Sequence, residues 1–324
     1  MKKKLWVLTG ITIVFFLISI CVGRFNMSIS ELVDVIFLKD PSSVQANLFY
    51  NIRLPRTLLV LICGGALALS GTVFQSIFRN PLISPDVLGV SSGCSVGAVI
   101  AILLTGKSVL GMQTITFLAG IIVVLIAISM AKFMRSNKIL ALIISGIVIS
   151  SLASSIIMML KYVADPYKEL PTIEFWLMGG FHNASWENIN TILPLIFLSG
   201  TILFLLRWRL KVMTLGDEEA MSLGVNVNLV RIISILCSTV LVSTVVSVAG
   251  LVSWIGLIAP HIIKTYAGDD ITKTLPLSIM AGGSLLLAAD IASRTLFPAE
   301  LPISILTSFI GAIFLFYIVL KRRV

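Results

Sequence analysis

Two histidines, four cysteines, one acidic triplet and a few arginines beside apolar runs carry whatever chemistry this 324-residue chain can do. The histidines, His182 and His261, stand far apart and no HExxH pattern is present, so a zinc protease lacks its ligands. His261 follows Pro260 at the break after an apolar run, which suits a helix-end residue rather than a metal ligand. No Gly-x-Ser-x-Gly elbow offers a nucleophile. Gly106-Lys107-Ser108 imitates the end of a phosphate-binding loop, but that pattern needs a glycine five positions before its closing Gly-Lys, where Ala101 stands. Cys21, Cys63, Cys94 and Cys237 lie within or beside apolar stretches with no CxxC spacing and read as small buried hydrophobes. Together these features predict no catalytic residue, no bound metal and no cofactor. The chain does not hydrolyse ATP by itself.

What remains is polarity placed at the edges of apolar segments. Thr214 to Val225 reads TLGDEEAMSLGV, between Lys211 and Arg231. Asp217, Glu218 and Glu219 fall in the first turn of a short predicted helix, where acids complement the positive end of the dipole, and Gly224 fits its C-terminal cap. Ala220, Met221 and Leu223 add an apolar patch that a cytoplasmic partner could grip. Elsewhere, Asp290 and Arg294 are one helical turn apart and are expected to pair near the outer end of a span. A carrier coupled to ions or protons usually buries ionisable groups near the bilayer centre, and these spans are almost free of them. The energy for transport must then come from a separate motor, unless the protein is a passive channel.

The elements that must hold these residues are membrane helices. The chain is 57% hydrophobic and 12% charged, with a mean hydropathy of +1.06, whereas soluble domains carry about 25% charged residues. Its net charge of +9 does not indicate nucleic acid, because the lysines and arginines sit in small clusters between apolar runs. Met1-Lys2-Lys3-Lys4 and the run to Gly23 predict a retained first helix with its lysines in the cytoplasm. Ser28-Ile29-Ser30-Glu31 then opens a surface helix within 26–40. Further spans are predicted over 57–78, 93–106, 108–131, 139–160, 189–206, 274–289 and 301–320. The run 232–263 is too long for one crossing and broken at Gly250, Gly256 and Pro260, so it reads as a span, a tight turn and a return. Residues 163–190 suit an outer loop holding a short helix. Ten crossings result, with both termini on one side and 16 of the 24 lysines and arginines inside, as the positive-inside bias favours.

The stretch RLPRTLLVLICGGALALSGTVFQSIFRNPLISPDVLGVSSG, residues 53–93, stands out. Thr57 to Phe78 is uncharged and long enough to span, yet it carries Gly64, Gly65, Ser70, Gly71 and Gln75 and runs into proline-broken sequence. Such content belongs to a helix packed closely on others or bordering a polar passage. Ser70, Gln75, Ser91 and Ser92 are candidates for the wall of that passage. A second glycine-rich span followed by a proline-broken segment, 250–276, hints at duplication of a transport element.

In these blocks the sequence resembles the permease subunit of ABC importers for ferric siderophores, haem and cobalamin, the FecCD or BtuC-like family. The matching blocks are Arg53-Leu54-Pro55-Arg56, Ser70-Gly71 with Gln75, Arg79-Asn80-Pro81-Leu82, Pro85-Asp86-Val87-Leu88-Gly89, Leu215-Gly216 through Leu223-Gly224-Val225, Gly256 to His261, Gly268-Asp269-Asp270, Ala289-Asp290, Leu301-Pro302 and Gly311. They run in family order from about residue 26 to the C-terminus. The resemblance implies an all-α, polytopic permease domain over 1–324, with ten helices per subunit. It further implies a second permease subunit (homodimer or close paralogue), two cytoplasmic ABC ATPase subunits and an extracytoplasmic substrate-binding protein, in a bacterial cell membrane. Carried over by position, Arg53, Arg56 and Arg294 match arginines that meet acidic residues of the binding protein. The segment Leu215, Gly216, Asp217, Glu218, Glu219, Ala220, Leu223 and Gly224 matches the coupling helix that seats in the ATPase, and Ser136 and Asn137 fall near the inner gate. Leu301-Pro302-Ile303-Ser304 and Gly311-Ala312-Ile313-Phe314 depart from the family's Leu-Pro-x-Gly and Gly-x-Pro-x-Phe, which puts the kink of the last helix in doubt. The implied cargo is a metal chelate, first a ferric siderophore, with haem or cobalamin as the alternative and ion-coupled secondary transport as the rival class.

Overall fold

The computed structural model of the chain describes residues 2–23, 34–35, 43–105, 109–134 and 137–321. Most of the expected surface helix at 26–40, together with Gly106-Lys107-Ser108, Arg135, Ser136 and Arg322-Arg323, lies outside the described residues. Every regular element among those described is helical. Thirteen helices are numbered here: α1 Lys2–Cys21, α2 Leu54–Ile77, α3 Val90–Thr105, α4 Val109–Phe133, α5 Lys138–Val163, α6 Glu169–Leu177, α7 Trp186–Leu205, α8 Arg207–Met213, α9 Asp217–Ser222, α10 Val227–Ala249, α11 Ile255–Ala267, α12 Ile271–Thr295 and α13 Ile303–Lys321. A single turn, Val44–Asn47, and a π-helical turn, Leu48–Arg53, lead directly into α2.

Ten of these helices match the ten predicted crossings, and α6, α8 and α9 are the short connectors. Seven are long and apolar enough to cross a bilayer on length and composition, while Val90–Leu104 and Ile303–Ile318 are apolar but shorter. The remaining helix matched to a predicted crossing, α11, has 13 residues, about 20 Å of helix at 1.5 Å per residue. The 232–263 run breaks where expected at Gly250, φ 66°, where a Cβ would overlap the Trp176 carbonyl, and again at Trp254, φ 71°. Gly256 and Pro260, also expected as breaks, lie inside α11.

Side-chain caps set several helix starts by satisfying otherwise orphaned N–H groups. Asn137 accepts from the Ile139 N–H at the start of α5, Ser185 from Asn188 at α7, Asn226 from Leu229 at α10 and Asp270 from Thr272 at α12.

Burial separates the spans into two layers. The best apolar window of the rod ending in α2 is 83% buried and that of α10 is 72%, against 11% for α1 and 28% for α4 and α7. α2 is therefore a central post, packed on α12, α11, α10 and α7. Its glycines make that possible: a Cβ on Gly71 would overlap the carbonyl of Gly256, and one on Gly64 that of Gly282. The polar content of α2 is absorbed by the packing. Thr72 and Ser76 donate to the carbonyls of Ala68 and Thr72, four residues back, and Ser70 donates to Ser238 O on α10.

Candidate functional site

Charge collects at the two ends of this bundle. At one end, Arg53, Arg56 and Arg294 come together, although they enter from the start of the central post and from the far end of α12. All three are buried, at 5, 9 and 8% exposure. Arg53 Nη1 donates to the carbonyls of Ile20 and Cys21 at 2.7 and 2.8 Å. Arg294 donates to Val22 O, Ser19 O and Ser19 Oγ at 3.0, 3.3 and 3.0 Å. Four consecutive carbonyls at the end of α1, which have no acceptor role left inside the helix, are thus capped by two guanidinium groups.

Arg56 is held by carboxylates. Its Nε and Nη2 donate to Asp290 Oδ1 at 3.1 and 2.9 Å, and its Nη1 to both oxygens of Glu300 at 3.0 and 3.2 Å. Arg294 Nε pairs with Asp290 Oδ2 at 3.0 Å, the expected contact one helical turn apart. Asp290 is wholly buried and ionically bound to two arginines, which is what makes a buried carboxylate tolerable. Sequence reasoning anticipated the Asp290–Arg294 pair but not Glu300, which sits in the connector between α12 and α13. The expected docking arginines are thus engaged within the chain, and Arg56 also faces a partly exposed acid, Glu300, whose side chain is 31% exposed.

The opposite end carries α9. Asp217 accepts both oxygens' worth of contact from Arg231 Nη2 at 2.8 Å, and Arg79, at the end of α2, approaches it at 3.6 Å. Glu218 and Glu219 point to solvent. Gly216 precedes the helix at φ 151°, where a Cβ would overlap the Glu219 carboxylate, and Gly224 follows it at φ 79° as the expected C-terminal cap. Ala220, expected on the exposed apolar patch, is instead fully buried beneath the helix. Leu215, Met221 and Leu223, at 64, 57 and 56% exposure, form that patch. Nearby, Lys211 reaches Asp270 at 3.0 Å. The Asp270 carboxyl is lowered to about 2, first by the Thr272 hydroxyl and then by Lys211, against a burial cost. Lys4 of α1 donates to Tyr266 O here at 2.5 Å, so the N-terminal helix starts at this end.

A cavity of about 980 Å³ opens beside α9, lined by Gln75, Arg79, Asn80, His261, Lys264 and Tyr317 among others. Of the residues expected along a passage, Gln75 is the one on this wall. Its Nε2 donates to Leu257 O at 3.2 Å, and its Oε1 has no protein partner. His261 is in α11 rather than at a helix end, with its ring edge-on to Phe314 at 5.6 Å. Ser91 hydrogen-bonds the Asp86 carboxylate, Ser92 is half-buried on the same turn of α3, Asn137 caps α5, and Ser70 is buried against α10. The structure thus distributes these residues over several places. No group of three or more histidines, cysteines or acids that could hold a metal occurs among the described residues, and none of the four cysteines is in a disulfide.

The model of the FecCD transport family matches residues 11–321. The molybdate import system permease protein MolB of Haemophilus influenzae is 36% identical over 96% of this chain and 93% of its own. The hemin transport system permease protein HmuU of Yersinia pestis is 35% identical over 96% of this chain and 95% of its own. A solved metal-chelate type ABC transporter in an inward-facing conformation superposes with a TM-score of 0.91 at 36% identity, covering 99% of this chain and all of the other.

Proposed function

Since the chain belongs to the FecCD transport family, we propose that it is the permease half of an ABC importer that moves a ferric siderophore. In this reading two ATPase subunits bind the end that carries α9, and a substrate-binding protein docks at the arginine end. A second permease subunit completes the passage, and both termini are cytoplasmic in a bacterial cell membrane.

The observation that carries this reading is α9 itself. Its outer side, Glu218 and Glu219 with Met221 and the flanking Leu215 and Leu223, is in solvent and adds nothing to the packing of the bundle. Its inward side is rigidly fixed: Asp217 is tied to Arg231 on α10 and to Arg79 at the foot of α2. A push on α9 therefore reaches the two most buried helices of the molecule directly. The chain has no nucleotide-binding motif of its own, so that push must come from a partner. Alternating access follows if ATP binding and hydrolysis move the pair of α9 helices and thereby the helices around the passage.

The cargo assignment rests on the resemblance to ferric-chelate permeases and on the superposed transporter's being of metal-chelate type. One relative is named for hemin, itself an iron chelate, and another for molybdate, so haem and the oxyanion are the outcomes to separate from siderophore. Gln75 is the first passage residue to test; Ser70, Ser91, Ser92, Ser136 and Asn137 follow.

The test is reconstitution of the permease with its ATPase and binding protein in vesicles. Uptake of ferric siderophore that needs ATP and the binding protein supports the reading, and selective uptake of haem, cobalamin or molybdate replaces the cargo. Uptake by the permease alone along an ion gradient overturns the importer assignment.

A further inference from the structure

Resting on the docking role proposed for the arginine end, we infer that Glu300 is an internal stand-in for a partner carboxylate on Arg56, and that docking exchanges one acid for the other. The three arginines differ in what they could release. Arg53 and Arg294 are spent on the last carbonyls of α1, and Arg294 also on Asp290. Withdrawing either would bare main-chain acceptors inside the bundle, a loss no incoming side chain repairs. Asp290 cannot leave either, because it is fully buried and ion-paired with two guanidinium groups at once.

Arg56 Nη1 is different. It is bound to Glu300 through both oxygens at 3.0 and 3.2 Å, and that side chain is 31% exposed while Asp290 is not exposed at all. Glu300 is the exposed member of the pair, and when it turns to water Asp290 Oδ1 still holds Arg56 Nε and Nη2, so the guanidinium stays partly paired until a partner carboxylate arrives. The connector need not move with it. Leu301 N–H donates to Ser293 O and Ile303 N–H to Gly179 O, holding the base of the loop while the side chain turns. Four and three residues earlier, Leu296 and Phe297 stand 59 and 56% exposed, an apolar shoulder against which a partner can exclude water from the new pair.

The fitting partner is an acidic protein face that presents one carboxylate ringed by apolar side chains. Its apparent affinity is set by the difference between two carboxylates competing for the same donors, reduced by the fraction of Arg56 that Glu300 already occupies. The internal acid keeps the arginine paired when nothing is docked and keeps docking reversible.

The experiment measures binding of the cognate cargo-loaded substrate-binding protein to the full permease–ATPase complex in nanodiscs, with thermal stability followed in parallel. Glu300→Gln should tighten docking by about 3–10-fold, a gain that a merely structural role cannot produce. Arg56→Gln should weaken it by roughly tenfold or more, and Arg56→Gln with Glu300→Gln should bind no better than Arg56→Gln alone. Glu300→Asp, which keeps the charge but shortens the reach, should tighten docking less than Glu300→Gln; it decides the question if the glutamine variant does not assemble. Weakening by Arg56→Gln without tightening at Glu300 overturns the stand-in and leaves docking intact. Tightening that persists in the double variant overturns the exchange on Arg56. No change in any variant overturns the docking reading itself.

Discussion

At the arginine end, five ionised side chains (Arg53, Arg56, Arg294, Asp290 and Glu300) satisfy one another and the tail of α1, and four of them are nearly shut off from water. At the other end, Asp217, Arg231 and Arg79 anchor a helix whose remaining acids and apolar side chains are left in solvent. Both ends use arginine–carboxylate pairs with similar distances, yet they differ in what the pairs are for. Where the pair is dry, breaking it exposes a charge in the bundle and threatens the fold. Where it lies under an exposed helix, the outer side of that helix can be altered without loss of packing. A cluster of charge at the edge of a membrane protein is therefore not one kind of feature. Burial decides whether it is a fastening or a handle.

That contrast can be broken in a graded series. Asp290→Ala should cause the largest loss, about 3–5 kcal/mol of stability, because it strands Arg56 and Arg294 together. Thermal unfolding in nanodiscs would show it, and a loss below about 1 kcal/mol would mean the cluster is not a fastening. Gly71→Val should follow at roughly 1–3 kcal/mol or more, since its side chain meets the Gly256 backbone; it separates close packing of α2 from any polar role of that helix. On α9, Glu218→Lys with Leu223→Asp should leave unfolding within about 0.5 kcal/mol of the parent while ATP-driven uptake falls about tenfold or more. Normal uptake in that variant would remove α9 as the handle. The smallest effect belongs to Asp270→Asn, about 0.5–1 kcal/mol from a weakened cap on α12 and a weakened pair with Lys211. Because the folded Asp270 pKa lies below its unfolded value of about 3.8, its contribution should be complete above pH 4 and fade as pH falls toward 2. A pH titration of stability should lose that acid limb in the asparagine variant.

Much of this was legible in the residues. The ten crossings, the short helices in the loops, the acid-led α9 with its glycine cap and the Asp290–Arg294 pair all follow from interactions within a turn or a segment, where hydropathy, capping and spacing act locally. The roles within those segments were less so. Ala220 reads as part of an exposed patch because its neighbours do, and it turns inward. Ser70 reads as a passage residue, and the hydrogen bond it donates to Ser238 O on α10 carries no local signal. Nothing local to Arg53 shows that its guanidinium caps carbonyls 32 and 33 residues earlier. Glu300 carries no local signal, since its partner is 244 positions away.

The sequence by itself determined that this is a bundle of membrane helices with basic edges, because apolar length and charge placement set the free energy of each segment in the bilayer independently of its neighbours. The tertiary structure alone decided which charges are used up inside the molecule and which remain for a partner. Pairing depends on the crossing of α1, α2 and α12, and distance along the chain does not encode where helices cross.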